Sequence, residues 1–320
     1  MPKSSIPTLD LHDYQHGNAA NKQAFVRALG EAYREIGFVA LRNHLLTDAQ
    51  QADLYTAVKA FFALPMTVKH RYHIAGGAGQ RGYTGPGNEK AKDAQVPDLK
   101  EFYHVGQLKK AGDTDPVLSQ YPDNVFPTEV ADFERSTTEA YTQLESTGPL
   151  MLQAIAEYLG LPVAYFEDKV HNGNSILRPI HYFPLEGASA APGAVRAGQH
   201  EDINLITLLM GASADGLELL KRDGTWLPVT AVPEALVVNV GDMLQRLTNN
   251  RLRSTTHRVV NPPADQLGTS RFSIPFFLHP RPEMRLDVLP GCVSEEHPAQ
   301  YTPISAGEYL IERLREIGLM

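Results

Sequence analysis

The spacing of apolar residues changes period once along this 320-residue chain, near residue 170. Upstream, apolar side chains recur at intervals of three and four, the repeat of an amphipathic helix. Downstream they fall in short β-branched and aromatic runs, separated by turn pairs such as Asp223-Gly224, Gly241-Asp242 and Pro262-Pro263. Helices followed by many closely spaced short strands predict a β-sandwich or barrel with helices packed against it.

In the first part, Phe25, Leu29, Ala32, Tyr33 and Ile36 share one face of a helix expected over 18–36, with Gly37 as its stop. Residues 38–41 read as a short strand. Thr47 can cap a second helix carrying Leu54, Ala57, Val58, Phe61 and Phe62 inward and closing before Pro65. A third helix is expected over 129–159, with Gly148-Pro149 as a kink. In the second part, strands are expected at 175–183, 203–210, 216–220, 236–240, 257–260 and 271–278, and a last helix at 305–317. The division is therefore a mainly helical region, 1–170, packed on a β-rich core, 171–320.

The chain carries a net charge of −8 and no block of basic residues, which argues against nucleic-acid or anionic-membrane partners and leaves a small molecule as the expected one. The single cysteine, Cys292, excludes an intrachain disulfide and a Cys-based metal site. No long apolar stretch follows the N-terminal lysine, and no window approaches the length of a membrane span. A cytoplasmic location is the expectation.

His200-Glu201-Asp202 opens the apolar run at 203–210. In one strand, residues two apart share a face about 7 Å apart, near enough for both side chains to reach one ion. The run is apolar on both faces, so a carboxylate leading into it is costly without a bound cation. His257, at the start of another strand, can supply a third ligand. Two imidazoles and one carboxylate form the facial triad of non-haem iron oxygenases, which leaves adjacent positions open for oxygen chemistry. Read singly, each is as well explained as a surface histidine at a turn or strand start.

Arg271 and Ser273 share one strand face with Phe277; Phe272, Ile274 and Phe276 share the other. Arginine suits bidentate binding of a carboxylate, and serine adds a neutral donor. The same alternation also suits a strand with Arg and Ser in water and its aromatics in the core.

With these residues in place, the chain resembles the isopenicillin N synthase-like family of 2-oxoglutarate and Fe(II)-dependent dioxygenases. The matching segments are Ile6-Pro7-Thr8-Leu9-Asp10, the stretch 35–44 containing Gly37-Phe38 and Asn43-His44, Phe61-Phe62-Ala63-Leu64-Pro65, Arg81-Gly82-Tyr83, Asp98-Leu99-Lys100-Glu101, and Leu177-Arg178-Pro179-Ile180-His181-Tyr182-Phe183-Pro184. The resemblance implies a mixed α and β fold with a distorted double-stranded β-helix (jelly-roll) core and flanking helices. It implies Fe(II) on His200, Asp202 and His257, and the far carboxylate of 2-oxoglutarate on Arg271 and Ser273, with Tyr182 beside it. It further implies O2-driven decarboxylation of that cosubstrate coupled to hydroxylation or desaturation of a small organic molecule. The chain departs from the family at His181 and Phe183, which stand for an Asn and a Tyr that hold the keto-acid end.

Phe277 and Tyr83 are the candidate substrate contacts. The glycine-rich stretch 76–88 lacks Gly-Lys-Ser/Thr, so it is no phosphate loop; it reads as a lid or a surface loop. His70, His73, His104 and His171 read as structural or solvent-facing. Three alternatives stay open: an O2- and Fe(II)-dependent oxidase of the synthase type without 2-oxoglutarate, a zinc hydrolase on the same triad, and an inactive binding protein of the same fold.

Overall fold

A computed structural model describes residues 5–92, 96–185, 194–211, 215–230 and 232–320. Its strands are β1 (Thr8–Asp10), β2 (Phe38–Arg42), β3 (Gly82–Thr84), β4 (Lys100–Gly106), β5 (Ile176–Leu177), β6 (Ile180–Tyr182), β7 (Ala197–His200), β8 (Ile206–Met210), β9 (Leu217–Leu220), β10 (Trp226–Pro228), β11 (Ala235–Val240), β12 (His257–Val259) and β13 (Arg271–Leu278). Its helices are α1 (Leu11–Gln15), α2 (Ala19–Glu35), α3 (Asp48–Phe62), α4 (Met66–Lys69), α5 (Phe133–Tyr158), α6 (Glu167–Val170), α7 (Asp242–Leu247) and α8 (Ala306–Glu316).

The expected cap at Thr47 forms: Thr47 and Gln50 close a reciprocal capping box on α3, and at the start of α2 the Asn18 side chain accepts from the Asn21 amide. After α2 the chain turns at Gly37, whose φ of +78° suits glycine; a Cβ there would lie 2.3 Å from the Arg253 carbonyl oxygen. Helix α5 runs on through Pro149.

One sheet has nine strands in the order β1-β2-β11-β8-β13-β5-β4-β3, with β6 pairing with both β13 and β4. The other has four, β10-β9-β12-β7. The larger sheet takes strands from both sides of residue 170. The run at 175–183 splits into β5 and β6 at Arg178-Pro179, where proline has no N–H for a ladder.

Strand alternation places the core and the cavity on opposite faces of the large sheet. Ile206, Leu208 and Met210 of β8, Leu236, Val238 and Val240 of β11, and Ile274, Phe276 and Leu278 of β13 pack under α2, α3 and α5 in the main core. The opposite face meets the small sheet. There, Phe38, Ala40 and Val237 pack on Leu217, Leu219 and Leu227, while Phe102, Ile180 and Tyr182 pack on Ala197 and Val259. Two facing sheets joined in this way, with helices outside, make the expected jelly-roll core. Its polar interior residues gather between the sheets.

Candidate metal centre and its adjoining cavities

His200 is the last residue of β7 and His257 the first of β12, and the two pair directly across the small sheet. Their rings lie 4.4 Å apart. Asp202 does not continue that strand. The chain leaves β7 at His200, turns through 201–205 and enters β8 at Ile206 in the other sheet. The expectation of one strand carrying both ligands is therefore corrected: a turn brings them together. That turn rests on the start of α7. The amides of Gly241, Asp242 and Met243 donate to the carbonyls of Leu205, Asp202 and Asn204 at 2.9, 2.8 and 3.1 Å. Amides of a helix start thereby find acceptors that the helix itself cannot supply. Glycine is needed at 241 because a Cβ would lie 2.2 Å from the Asn204 carbonyl oxygen.

The donor atoms converge. Nε2 of His257 lies 3.6 Å and Nε2 of His200 3.9 Å from Oδ1 of Asp202, and all three atoms fall within 4.8 Å of one another. Each histidine donates its Nδ1–H to a backbone carbonyl, His200 to Gly198 at 2.7 Å and His257 to Thr255 at 3.0 Å. The proton is thus on Nδ1, and each Nε2 presents a lone pair toward the centre. Asp202 is oriented by its other oxygen, Oδ2, which accepts from Thr207 Oγ1 at 2.6 Å and Asn239 Nδ2 at 2.7 Å. Phe38 packs edge-on against His257.

Burial, reinforced by His257, pushes the His200 imidazolium down to about 4, so the ring is neutral near pH 7. Burial opposes the charge on Asp202, but His257, His200, Asn239 and Thr207 together outweigh it and hold its carboxyl below the ordinary value. Two imidazoles that each turn Nε2 to one centre and one carboxylate, each with its outer hydrogen bond satisfied, fit a divalent iron ion.

Two cavities open from this centre. The inner one runs between the sheets past Tyr182 to Arg271 and Ser273, with Pro275 and Phe277 continuing the same face of β13. Arg271 is 2% exposed; its Nε donates to the Asp215 carbonyl at 3.2 Å and its guanidinium lies 5.0 Å from the Tyr182 ring. The outer cavity lies on the other side of His200 and Asp202, between β4 and the C-terminal helix α8. Phe277, Arg178 and Lys100 border both.

The structure thus brings His200, Asp202, His257, Arg271, Ser273, Tyr182 and Phe277 around one space. It does not bring Tyr83 there. Tyr83 is fully buried, donates to Glu101 and packs on Phe61, bordering neither cavity. The departures at His181 and Phe183 also resolve. In β6, Ile180 and Tyr182 face the inner cavity, whereas His181 faces the opposite side, bonded to Glu101 at 2.8 Å and stacked on Phe272. Neither His181 nor Phe183 borders either cavity.

Sequence reasoning missed Thr207, Asn239, Arg178, Lys100 and the α8 wall. Asn239 had a usable signal, a polar residue inside the apolar run Leu236-Val237-Val238-Asn239-Val240. His104, read as structural, is 1% exposed and borders the outer cavity.

Comparison with known proteins agrees with this geometry. Residues 6–129 match the family described as non-haem dioxygenase in morphine synthesis N-terminal, and residues 175–280 match the 2OG-Fe(II) oxygenase superfamily. The 2-oxoglutarate-Fe(II) type oxidoreductase ppzD of Metarhizium rileyi is 31% identical over 98% of this chain and 91% of its own. A crystal structure of a 2OG-Fe(II) oxygenase family protein from Caulobacter crescentus is 42% identical, covers 98% of this chain and 99% of its own, and superposes with a TM-score of 0.85. A full-length Neurospora crassa protein, solved in complex with α-ketoglutarate and thymine, is 29% identical with a TM-score of 0.84, covering 98% of each chain. No helix among the described residues is long and apolar enough to cross a membrane. On the shared sequence, the shared fold and the triad between the sheets, the chain belongs to the 2OG-Fe(II) oxygenase family and is a 2-oxoglutarate- and Fe(II)-dependent dioxygenase, a non-haem iron oxidoreductase that uses O2.

Proposed function

We propose that His200, Asp202 and His257 hold the Fe(II), that Arg271 and Ser273 receive the far carboxylate of 2-oxoglutarate with Tyr182 beside them, and that the product is a hydroxylated or desaturated small organic molecule. The observation that carries this reading is the convergence of two Nε2 lone pairs and one carboxylate oxygen at the head of a cavity floored by Arg271 and Ser273. Bound iron, with 2-oxoglutarate and O2, supplies the oxidising power for decarboxylation and for attack on a C–H bond.

The chain's own residues do the rest. The carbonyls of Gly198 and Thr255 hold both imidazoles in the ligating tautomer. Thr207 and Asn239 engage Oδ2 of Asp202 and leave Oδ1 for the metal. Arg271, braced by the Asp215 carbonyl, presents a planar cation to a carboxylate arriving between the sheets. Phe277 lies at the junction of the two cavities, where substrate and cosubstrate meet. A small substrate is supported by the confinement of the outer cavity between β4 and α8 and by the thymine complex of the Neurospora crassa relative. The matches at 35–44, Phe61–Pro65 and Asp98–Glu101 favour the isopenicillin N synthase-like branch.

The test is turnover. Purified protein with Fe(II), 2-oxoglutarate and O2 should release succinate and CO2, and the His257→Ala variant should release neither above background. Wild-type rates in that variant would remove His257 from the metal set.

A further inference from the structure

The two cavities differ in how their charges are matched. On the β4 side of the outer cavity stand Lys100, Arg178, Glu89 and Asp98, two cations and two carboxylates. They are bonded to one another. Lys100 Nζ lies 2.6 Å from Glu89 and 2.8 Å from Asp98; Arg178 holds both oxygens of Glu89 at 3.1 and 3.3 Å. The Arg178 Nε–H donates to Nε2 of His104, so that nitrogen carries no proton. Burial, with Arg178 beside it, keeps His104 neutral, and burial holds the neighbouring His279 down to about 3. Burial opposes the charges on Glu89 and Lys100, yet their partners override it: Arg178 and Lys100 hold Glu89 well below the usual carboxylate range, and Glu89 and Asp98 hold Lys100 above the usual lysine range. The wall is therefore charged inside and neutral as a whole. Lys90, exposed, and Glu201, partly exposed, also border this cavity.

The facing wall is apolar. Leu310, Leu314 and Ile317 of the C-terminal segment meet Ile203 and Phe277. Helix α8 is held in place by Tyr309, which donates to Asp242 at 2.9 Å, and by the Lys90 amide, which reaches the Ile317 carbonyl at 3.5 Å.

We infer that the prime substrate of this enzyme is an uncharged, partly apolar small molecule whose carbonyl or hydroxyl oxygens face the Arg178–Glu89–Lys100 wall while its hydrocarbon part lies against α8. This rests on the assignment of the triad and inner cavity made above. A charged substrate would lose its water shell beside a wall whose two cations and two carboxylates are already matched to one another. Hydrogen-bond donors do remain. Lys100 uses two of its three N–H groups on this wall and Arg178 three of its five. The enzyme thus sorts its two organic ligands by charge: the dicarboxylate goes inward to Arg271, and the neutral molecule stays beneath α8.

The test uses the anaerobic complex of the full chain with Fe(II) and 2-oxoglutarate, whose visible charge-transfer band responds when a neighbour displaces water from the iron. Four probes are titrated: thymine and 2-piperidone, which are uncharged ring carbonyl compounds, and orotate and cyclohexanecarboxylate, which are anions. At least one uncharged probe should shift the band, and neither anion should. In Leu310→Ser the response should need about tenfold more of that probe, while the affinity for 2-oxoglutarate stays unchanged. A shift with either anion, no shift with any of the four, or an unchanged response in Leu310→Ser overturns the inference. Failure of the band to form before any probe is added counts against the iron and cosubstrate assignment instead.

Discussion

Thr207 donates its hydroxyl proton to Oδ2 of Asp202 at 2.6 Å, from a strand of the opposite sheet to the one that carries both histidines. With Asn239 on the same oxygen, this bond turns Oδ1 toward the two imidazoles. Loss of either donor should leave the carboxylate free to rotate. Thr207→Val and Asn239→Ala should each weaken Fe(II) binding by about 10- to 100-fold. Calorimetric titration with Fe(II) under argon checks this; wild-type affinity in both variants would show that the ligand needs no such support.

Arg271 stands on β13, apart from the elements that carry the three candidate ligands, so its loss should be selective. Arg271→Met should raise the dissociation constant for 2-oxoglutarate roughly 100-fold, the scale for removing one partner of a buried charge-assisted pair. Iron affinity should not change. Equal loss of iron and cosubstrate binding would point to collapse of β13 rather than to a carboxylate clamp.

How much of this was legible beforehand differs by element. The helix over 18–36 and the cap at Thr47 were readable because helical spacing and capping are local chemistry. The face of β13 was readable because alternation along one strand is also local. The turn between His200 and Asp202 was not: it is built by amides of α7, some forty residues later, and a local pattern carries no trace of them. The phase of 175–183 was legible, because it survives the interruption at Arg178-Pro179: Ile176, Arg178, Ile180 and Tyr182 all border a cavity, and β5 and β6 keep one register against β13, so His181 faces away. Tyr83 was misread as a substrate contact because its pairing is not local. Its partner Glu101 follows Lys100 on β4, and these two successive side chains point to opposite faces of the sheet, one to the cavity and one to the core.

That core side yields a stability prediction. Glu101 is fully buried and accepts from Lys69 at 2.8 Å, from Tyr83, and from His181 at 2.8 Å. Lys69→Met removes the only lysine on this carboxylate among the described residues. It should destabilise the fold by about 3 kcal/mol, the typical result of stranding one buried charge. Urea unfolding checks it, and iron affinity should be retained because the network lies on the far side of the sheet from the triad.

Stability should also fall with pH through the buried histidines. Burial keeps His104 and His279 neutral in the folded state far below the ordinary imidazole value of about 6.5. Below that value the unfolded chain binds protons that the folded chain does not. Stability is therefore full above pH 6.5 and falls as pH drops toward 3, by up to about 1.4 kcal/mol per pH unit for each group. Melting temperatures recorded between pH 8 and pH 4 should be flat at first and then decline, and His279→Leu should make the decline shallower. An identical profile in that variant would remove His279 from the cause.

The central claim is that one space between the two sheets holds Fe(II) on His200, Asp202 and His257 and 2-oxoglutarate on Arg271 and Ser273. The most direct measurement is an anaerobic titration of metal-free protein with Fe(II) and then 2-oxoglutarate, followed by visible absorption. A keto acid chelated to Fe(II) gives a charge-transfer band without any prime substrate. The account predicts a saturable band in the wild type, its absence in His257→Ala, and its appearance only at much higher 2-oxoglutarate in Arg271→Met. Iron binding with no band at any 2-oxoglutarate concentration, or an undiminished band in His257→Ala, would contradict it.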